Sequence, residues 1–249
     1  MAELLGLPYS PWSEKAYWAL DARRITYTRR KYQPMLGELG LRIKTGKWRG
    51  NVSVPVFTSD DGEVITDSAN IARWASEHGS GPTLFPAGTS DAMIKLIDLS
   101  ERGLGAGRAR SLLQLVDSPD GVREMVPTTM RWLPGANAIA RYGIRRTARK
   151  YQGTPDLELA RVQQAAVLDE VRAALGNAKG EPKTLLGELT FADIAVSQVL
   201  AFVEPPAFGL RIAPATRETF GDQILREKYA DLVAWRDALY AQYRPRSES

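Results

Sequence analysis

Every stretch of this chain that reads as a β-strand lies in its first third, so any sheet must be built there. The run at 3–7 reads as a short strand stopped by Pro8, and 25–32, rich in Thr, Tyr and Ile, as a second. Two further β-rich runs, 52–58 and 63–66, flank the tetrapeptide SDDG. Its Asp61-Gly62 pair is a hairpin-turn signal and predicts an antiparallel pair. Helical patterns separate these runs. One begins at Pro11 and places Ala16, Ala19, Leu20 and Arg23 at helical spacing. Another covers 69–77, with Ile71, Ala72 and Ala75 on one face and His78-Gly79 at its exit. The stretch 33–51, with scattered Gly and Pro, reads as an irregular connection. The order β-α-β, connection, β-β-α predicts a small mixed sheet with helices packed on it.

The segment GSGPTLFPAG then reads as a linker. Beyond it the β signals vanish and long helical stretches follow at 91–116, 122–150 (broken near Pro134-Gly135), 156–175, 191–203 and 225–243. The expected organisation is a mixed α/β domain over 1–79, a linker over 80–89 and an all-helical domain over 90–249.

Composition removes much chemistry. The 249 residues include no cysteine, which excludes disulfides, thiolate metal sites and cysteine nucleophiles; one histidine, His78, excludes histidine-rich metal sites. No metal is expected. The net charge of +4 divides into +2 on each side of residue 80, without the lopsided basic half of a nucleic-acid binder. No apolar run is long enough to span a membrane, and no signal-peptide pattern opens the chain, so a cytoplasmic protein is expected.

Ser10 is the first candidate for chemistry. In YSPWSEKAYWALD at 9–21 it precedes a proline where a strand gives way to a helix. Ser10 as N-cap and Pro11 in the first turn would explain both residues structurally. Val54-Pro55, in VSVPVF at 52–57, has an equally plain reading as an edge-strand proline. Either residue of Asp67-Ser68, in DGEVITDSANIARWASE at 61–77, would cap the third helix.

Together and in this order, these three segments resemble the soluble glutathione transferase family, in its serine-dependent type. A fourth segment, LTFADIAVSQVL at 189–200, resembles the family's capping box. The resemblance covers the whole chain in layout and is specific mainly in the first 80 residues. It implies a thioredoxin-like N-terminal domain that holds glutathione and a helical domain that supplies the pocket for an electrophile. It further implies a homodimer and a role in detoxification.

The resemblance also assigns roles. Ser10 would donate a hydrogen bond to the glutathione sulfur, with Tyr9 and Ser13 as rival donors. Several serine-dependent branches carry an arginine soon after the serine; this chain has Lys15, and that arginine's role is not carried over. A cis Val54-Pro55 bond would present the backbone of Val54 to the cysteinyl unit in the manner of an added strand. Ser68 would meet the γ-glutamyl carboxylate at a helix N-terminus, and Asp67 the amino group. Among Lys44, Lys47, Trp48 and Arg49, Lys47 is the choice for the glycyl carboxylate. Thr190 and Asp193 would form a structural capping box.

An unperturbed thiol ionises near pH 8.5, so only about 3% is thiolate at pH 7. Lowering that value by about two units takes roughly 2.7 kcal/mol and ionises about three quarters. A hydroxyl beside the positive end of a helix is suited to this work. The expected function is thiolate attack on a small, apolar electrophile. The alternatives are a non-catalytic glutathione- or ligand-binding member of the fold, or a glutathione-dependent isomerase, ether-bond lyase or dehalogenase. The basic run RYGIRRTARK at 141–150 places Arg141, Arg145 and Arg149 on one helical face and reads as a solvated surface. Trp12, Trp132 and Tyr142 stay unassigned between core and substrate pocket.

Overall fold

The computed structural model describes residues 1–34, 36–152, 156–176, 178 and 180–245. The first 78 residues run β1 (Glu3–Gly6), α1 (Pro11–Ala22), β2 (Thr28–Lys31), α2 (Glu38–Thr45), β3 (Val56–Thr58), β4 (Val64–Thr66) and α3 (Ser68–His78). The four strands form one sheet in the order β2-β1-β3-β4. β1 pairs in parallel with β2, while β1–β3 and β3–β4 are antiparallel, as the crossover and the Asp61-Gly62 turn require.

The sheet is covered on both faces. Alternate residues divide as a pleat demands: Leu4 and Phe57 pack with Ala16, Leu20, Ile71 and Ala75 of α1 and α3. Leu5 and Val56 face the other way, toward Leu41 of α2 and Val52. Helix α2 corrects the expectation of an irregular 33–51 (Met35, within that stretch, lies outside the described residues). Only Leu41 of its eight residues is buried, so it leaves no apolar periodicity to read. Gly46, at φ 67°, ends it in the left-handed conformation that glycine adopts at least cost.

The rest of the chain is helical: α4 (Ser90–Asp117), α5 (Pro119–Met125), α6 (Ala136–Gln152), α7 (Leu157–Gly176), α8 (Phe191–Ser197), α9 (Pro214–Phe220), α10 (Gln223–Lys228) and α11 (Ala230–Tyr243). Three expected helices are shorter or divided. The stretch 122–150 becomes α5, which stops ahead of Pro127, and α6, which starts after Gly135. The run 191–203 is α-helical only to Ser197, whose hydroxyl bonds back to the Ile194 carbonyl at 2.9 Å, and continues as a 3-10 turn. The last expected helix divides at buried Tyr229, whose hydroxyl donates to Asp169 at 2.8 Å. Among the described residues, no helix is long and apolar enough to cross a membrane.

Residues 79–89 form no regular element, yet they are anchored. Leu84 is buried, its carbonyl accepts from Phe191 N–H at 2.9 Å, and Ser80 N–H donates to the Arg23 carbonyl at 3.1 Å. Helix α1 is buried from Ser13 through Leu20 because it serves two cores. Ala16, Tyr17 and Leu20 pack under the sheet, whereas Trp18 and Ala19 join the main cluster around Phe191, Ile194 and Tyr240.

Candidate active site

Strand register brings three of the sequence segments to one end of the sheet. Leu5 lies opposite Val56, and Val56 opposite Thr66. The chain leaving β1 toward α1, the chain entering β3 through Val54-Pro55 and the chain leaving β4 toward α3 therefore all lie at the same end of the sheet.

At this end Ser10 occupies the N-cap position of α1 in an extended conformation (φ −92°, ψ 122°), and Pro11 takes the first turn. Its backbone does what a helix start requires: the N–H donates to Leu7 O at 3.0 Å and the carbonyl accepts from Glu14 N–H at 2.9 Å. Its hydroxyl makes no capping bond. The side chain therefore does not take the capping role that was the structural alternative for Ser10, and the half-buried residue stands at the positive end of a 12-residue helix.

The rival donors are placed differently. Ser13 is fully buried and its oxygen accepts from Leu7 N–H at 3.0 Å, tying α1 to the end of β1. Gly6 makes room for this tie, since a Cβ there would come within 2.8 Å of the Tyr17 hydroxyl and 3.0 Å of Ser13 Oγ. A sealed hydroxyl of this kind is a structural link. Tyr9 is half-buried against the main core, and burial, with Tyr32 nearby, pushes its phenol up to about 12.

The Val54-Pro55 bond is cis. Among the described residues, no hydrogen bond engages the backbone of Val54. Asp67 caps α3, with its Oδ1 accepting from Ala69 N–H at 2.8 Å. Its φ of 77° is rare for a residue with a side chain and costs about 1–3 kcal/mol, a strain that clusters at functional sites. Because Asp67 does the capping, the hydroxyl of buried Ser68 makes no hydrogen bond among the described residues.

The cation candidates separate. Lys44 bonds Glu3 at 2.7 Å, at the opposite end of β1 from Ser10. Lys47, Trp48 and Arg49 are exposed just past α2. The Lys47 carbonyl accepts from Arg42 at 3.2 Å, and the same guanidinium holds Gly50 O at 3.1 Å, which fixes the path of this loop.

Two charged clusters behind the site escaped the sequence reading. Lys15, fully buried, bonds Glu101 of α4, and the other oxygen of Glu101 accepts from the Trp12 indole at 2.7 Å, with the Arg108 guanidinium 4.5 Å from that ring's centre. Glu14, also buried, accepts from Arg244 at 2.6 Å, and Arg244 reaches Asp21 at 2.7 Å. Burial pushes the Glu14 carboxyl up, against the pull of Arg244. Burial lowers the Arg244 guanidinium, but Glu14 and Asp21 more than offset it and hold it above its ordinary value. The partners lie 86 and 230 residues away, a separation no local pattern reports.

Thr190 and Asp193 stand apart from this end of the sheet. Asp193 is buried; its Oδ2 accepts from the Thr190 N–H at 2.8 Å and hydroxyl at 2.9 Å, and its Oδ1 from Leu185 N–H at 2.7 Å. His78 ends α3 with its ring stacked 4.3 Å from Trp74. Arg145 and Arg149 are exposed and Arg141 half-buried, while Lys150's side chain lies outside the described residues. Trp132 and Tyr142 are exposed and Trp12 half-buried, which excludes the first two from the core.

A four-stranded mixed sheet with this topology, a cis proline just before β3 and an all-helical region after it, is a thioredoxin-like domain followed by a helical one. Residues 9–78 match the family model described as glutathione S-transferase, N-terminal domain. No curated protein matches significantly. Solved structures share the fold. Glutathione transferase GSTFuA2 from Phanerochaete chrysosporium is 20% identical over 98% of both chains, with a TM-score of 0.67. A glutathione S-transferase from Methylobacillus flagellatus, solved with glutathione bound, is 18% identical over 97% of this chain and 95% of its own, with a TM-score of 0.58. A family member from Pseudomonas fluorescens Pf-5, with bound S-(propanoic acid)-glutathione, is 17% identical over 99% of this chain and 100% of its own, with a TM-score of 0.58.

Proposed function

We propose that the protein is a glutathione transferase of the serine-dependent type. The observation that carries this reading is the convergence at one end of the sheet of an uncommitted Ser10 hydroxyl, the unpaired backbone of Val54 and the uncommitted Ser68 hydroxyl at the start of α3. Each suits a different part of an extended tripeptide. Val54 pairs with the peptide backbone, Ser68 and the adjacent N–H groups of α3 meet a carboxylate, and Asp67 faces the amino group. Lys47 serves the glycyl carboxylate. Ser10 donates to the sulfur, so the thiol loses its proton more readily and the thiolate forms the new bond to the electrophile. The serine forms no covalent intermediate and needs no histidine base. The active species is a cytoplasmic homodimer, and the electrophile is small and apolar.

The test is S10A beside Y9F, with turnover of a chlorinated nitroaromatic and calorimetric binding of glutathione. S10A is expected to keep its glutathione affinity within about threefold while losing at least tenfold in kcat, or about 1.4 kcal/mol. The acid limb of its rate profile moves up toward pH 8.5. Tyr9, held near 12, contributes no ionisation between pH 6 and 9, so in wild type that limb belongs to the bound thiol. If Y9F shows the loss and S10A does not, the donor assignment is wrong.

A further inference from the structure

One stretch of the helical region is charged out of proportion to the rest. Residues 125–149 hold five arginines and no acidic residue, whereas the whole chain nets only +4. They cover the loop after α5 and most of α6, and α6 buries one narrow side. Ile144 and Ala148 are buried, and Ile144 packs among Leu112, Leu115 and Val122 of α4 and α5.

The opposite side faces outward. Ile139, Tyr142, Arg146 and Arg149 follow one another at steps of three, four and three residues, which sets them in one stripe along the helix with Arg145 beside it. All five are exposed, Ile139 at 59% and Tyr142 at 62%. The loop before α6 adds exposed Met130 and Trp132, the latter at 77%. The Trp132 indole N–H already donates to Thr129 O at 2.8 Å, so the exposed ring has its one polar group satisfied.

The charges on this face are poorly answered. Among the described residues, Arg145 and Arg149 make no hydrogen bond or ion pair. Arg146 lies 3.4 Å from Glu38, but that carboxylate also accepts from Arg42 at 2.9 Å, so one anion serves two cations. Arg131 holds Val126 O at 3.1 Å and shares a crevice with Glu124, whose oxygens take the N–H groups of Ala215 and Thr216. Surplus cations therefore stand among exposed aromatic and aliphatic side chains, the combination that suits an anionic membrane interface.

We propose that the outer face of α6, with the loop 130–132, docks reversibly on the surface of an anionic lipid bilayer. The arginines meet the lipid phosphates, and Trp132, Ile139 and Tyr142 enter the headgroup boundary. A nucleic-acid backbone would use the same cations but would leave Ile139 and Met130 in water, whereas a bilayer removes them from it. The surface shares no residue with the glutathione reading.

The full chain is sedimented with vesicles of phosphatidylcholine alone and of phosphatidylcholine mixed equally with phosphatidylglycerol. Binding is expected only to the mixed vesicles and should fall steeply as salt is raised. R145Q/R149Q should weaken it roughly twenty-five-fold, about fivefold for each arginine, with an unchanged melting curve because neither side chain is paired. Brominated phosphatidylcholine in the mixed vesicles should quench tryptophan emission in wild type and much less in W132F. Equal binding to both vesicle types, no binding to either, full retention by R145Q/R149Q or quenching that persists in W132F overturns the proposal. Capture by an RNA or DNA oligonucleotide without sedimentation by the mixed vesicles also overturns it and assigns the face to nucleic acid.

Discussion

Helices α1 and α8 both start at a hydroxyl residue, and the two hydroxyls end differently. Thr190 at the head of α8 is consumed: its N–H and hydroxyl both go to Asp193, whose other oxygen takes Leu185 N–H. Ser10 at the head of α1 uses only its backbone, and its side chain stays uncommitted. One start is sealed inside the helical core; the other lies half-buried past the end of β1. A third start, at α3, shows how a hydroxyl is spared: Asp67 accepts the cap bond, and Ser68 does not need to. The same local signature can therefore be structural or available for chemistry, and the deciding factor is whether another group already satisfies the orphan N–H groups.

The largest effect that would test this contrast is at Asp193. Burial pushes its carboxyl up, while the N–H groups of Leu185 and Thr190 and the Thr190 hydroxyl hold it down. D193A strands two buried backbone donors, at about 1–3 kcal/mol each. We expect about 3 kcal/mol in all, a fall in Tm of roughly 6–12 °C and poor soluble yield. A melting curve identical to wild type would remove the structural half of the comparison.

The Ser10 start should behave in the opposite way. Replacing a working N-cap serine by alanine costs about 1 kcal/mol. S10A is expected to lose less than half of that, under about 2 °C in Tm, while its turnover drops at least tenfold. A destabilised S10A with normal turnover would show that the hydroxyl is a cap in solution.

Smaller again is S68A, which removes one hydrogen bond to a charged group and leaves the α3 cap on Asp67 intact. Glutathione affinity should fall roughly tenfold in calorimetry, with kcat at saturation within about twofold. Loss in kcat alone would place Ser68 at the reacting atoms rather than at a terminal carboxylate.

Local signals carried well through the first 78 residues. The hairpin at Asp61-Gly62, the proline after Ser10 and the Asp67-Ser68 helix start each concern neighbours within a few residues, and each was legible in the chain. Helix α2 was not, because one buried leucine in eight residues makes no pattern. The long helical stretches were legible in type, and so was the break near Pro134-Gly135, after which α6 starts; the other two breaks were not, since Ser197 and Tyr229 interrupt their helices through side-chain bonds rather than through Gly or Pro.

What the amino-acid order determined by itself was the mixed sheet, the helical remainder and the segments around Ser10, Val54 and Ser68, since these rest on backbone preferences acting over short spans. Tertiary structure alone decided that the Ser10 hydroxyl stays free, that Ser13 is sealed, that Lys15 meets Glu101, and that Arg244 closes on Glu14 and Asp21. The reason is physical. Burial and pairing of a polar group depend on what distant segments bring against it, and those partners are chosen by packing across the whole molecule.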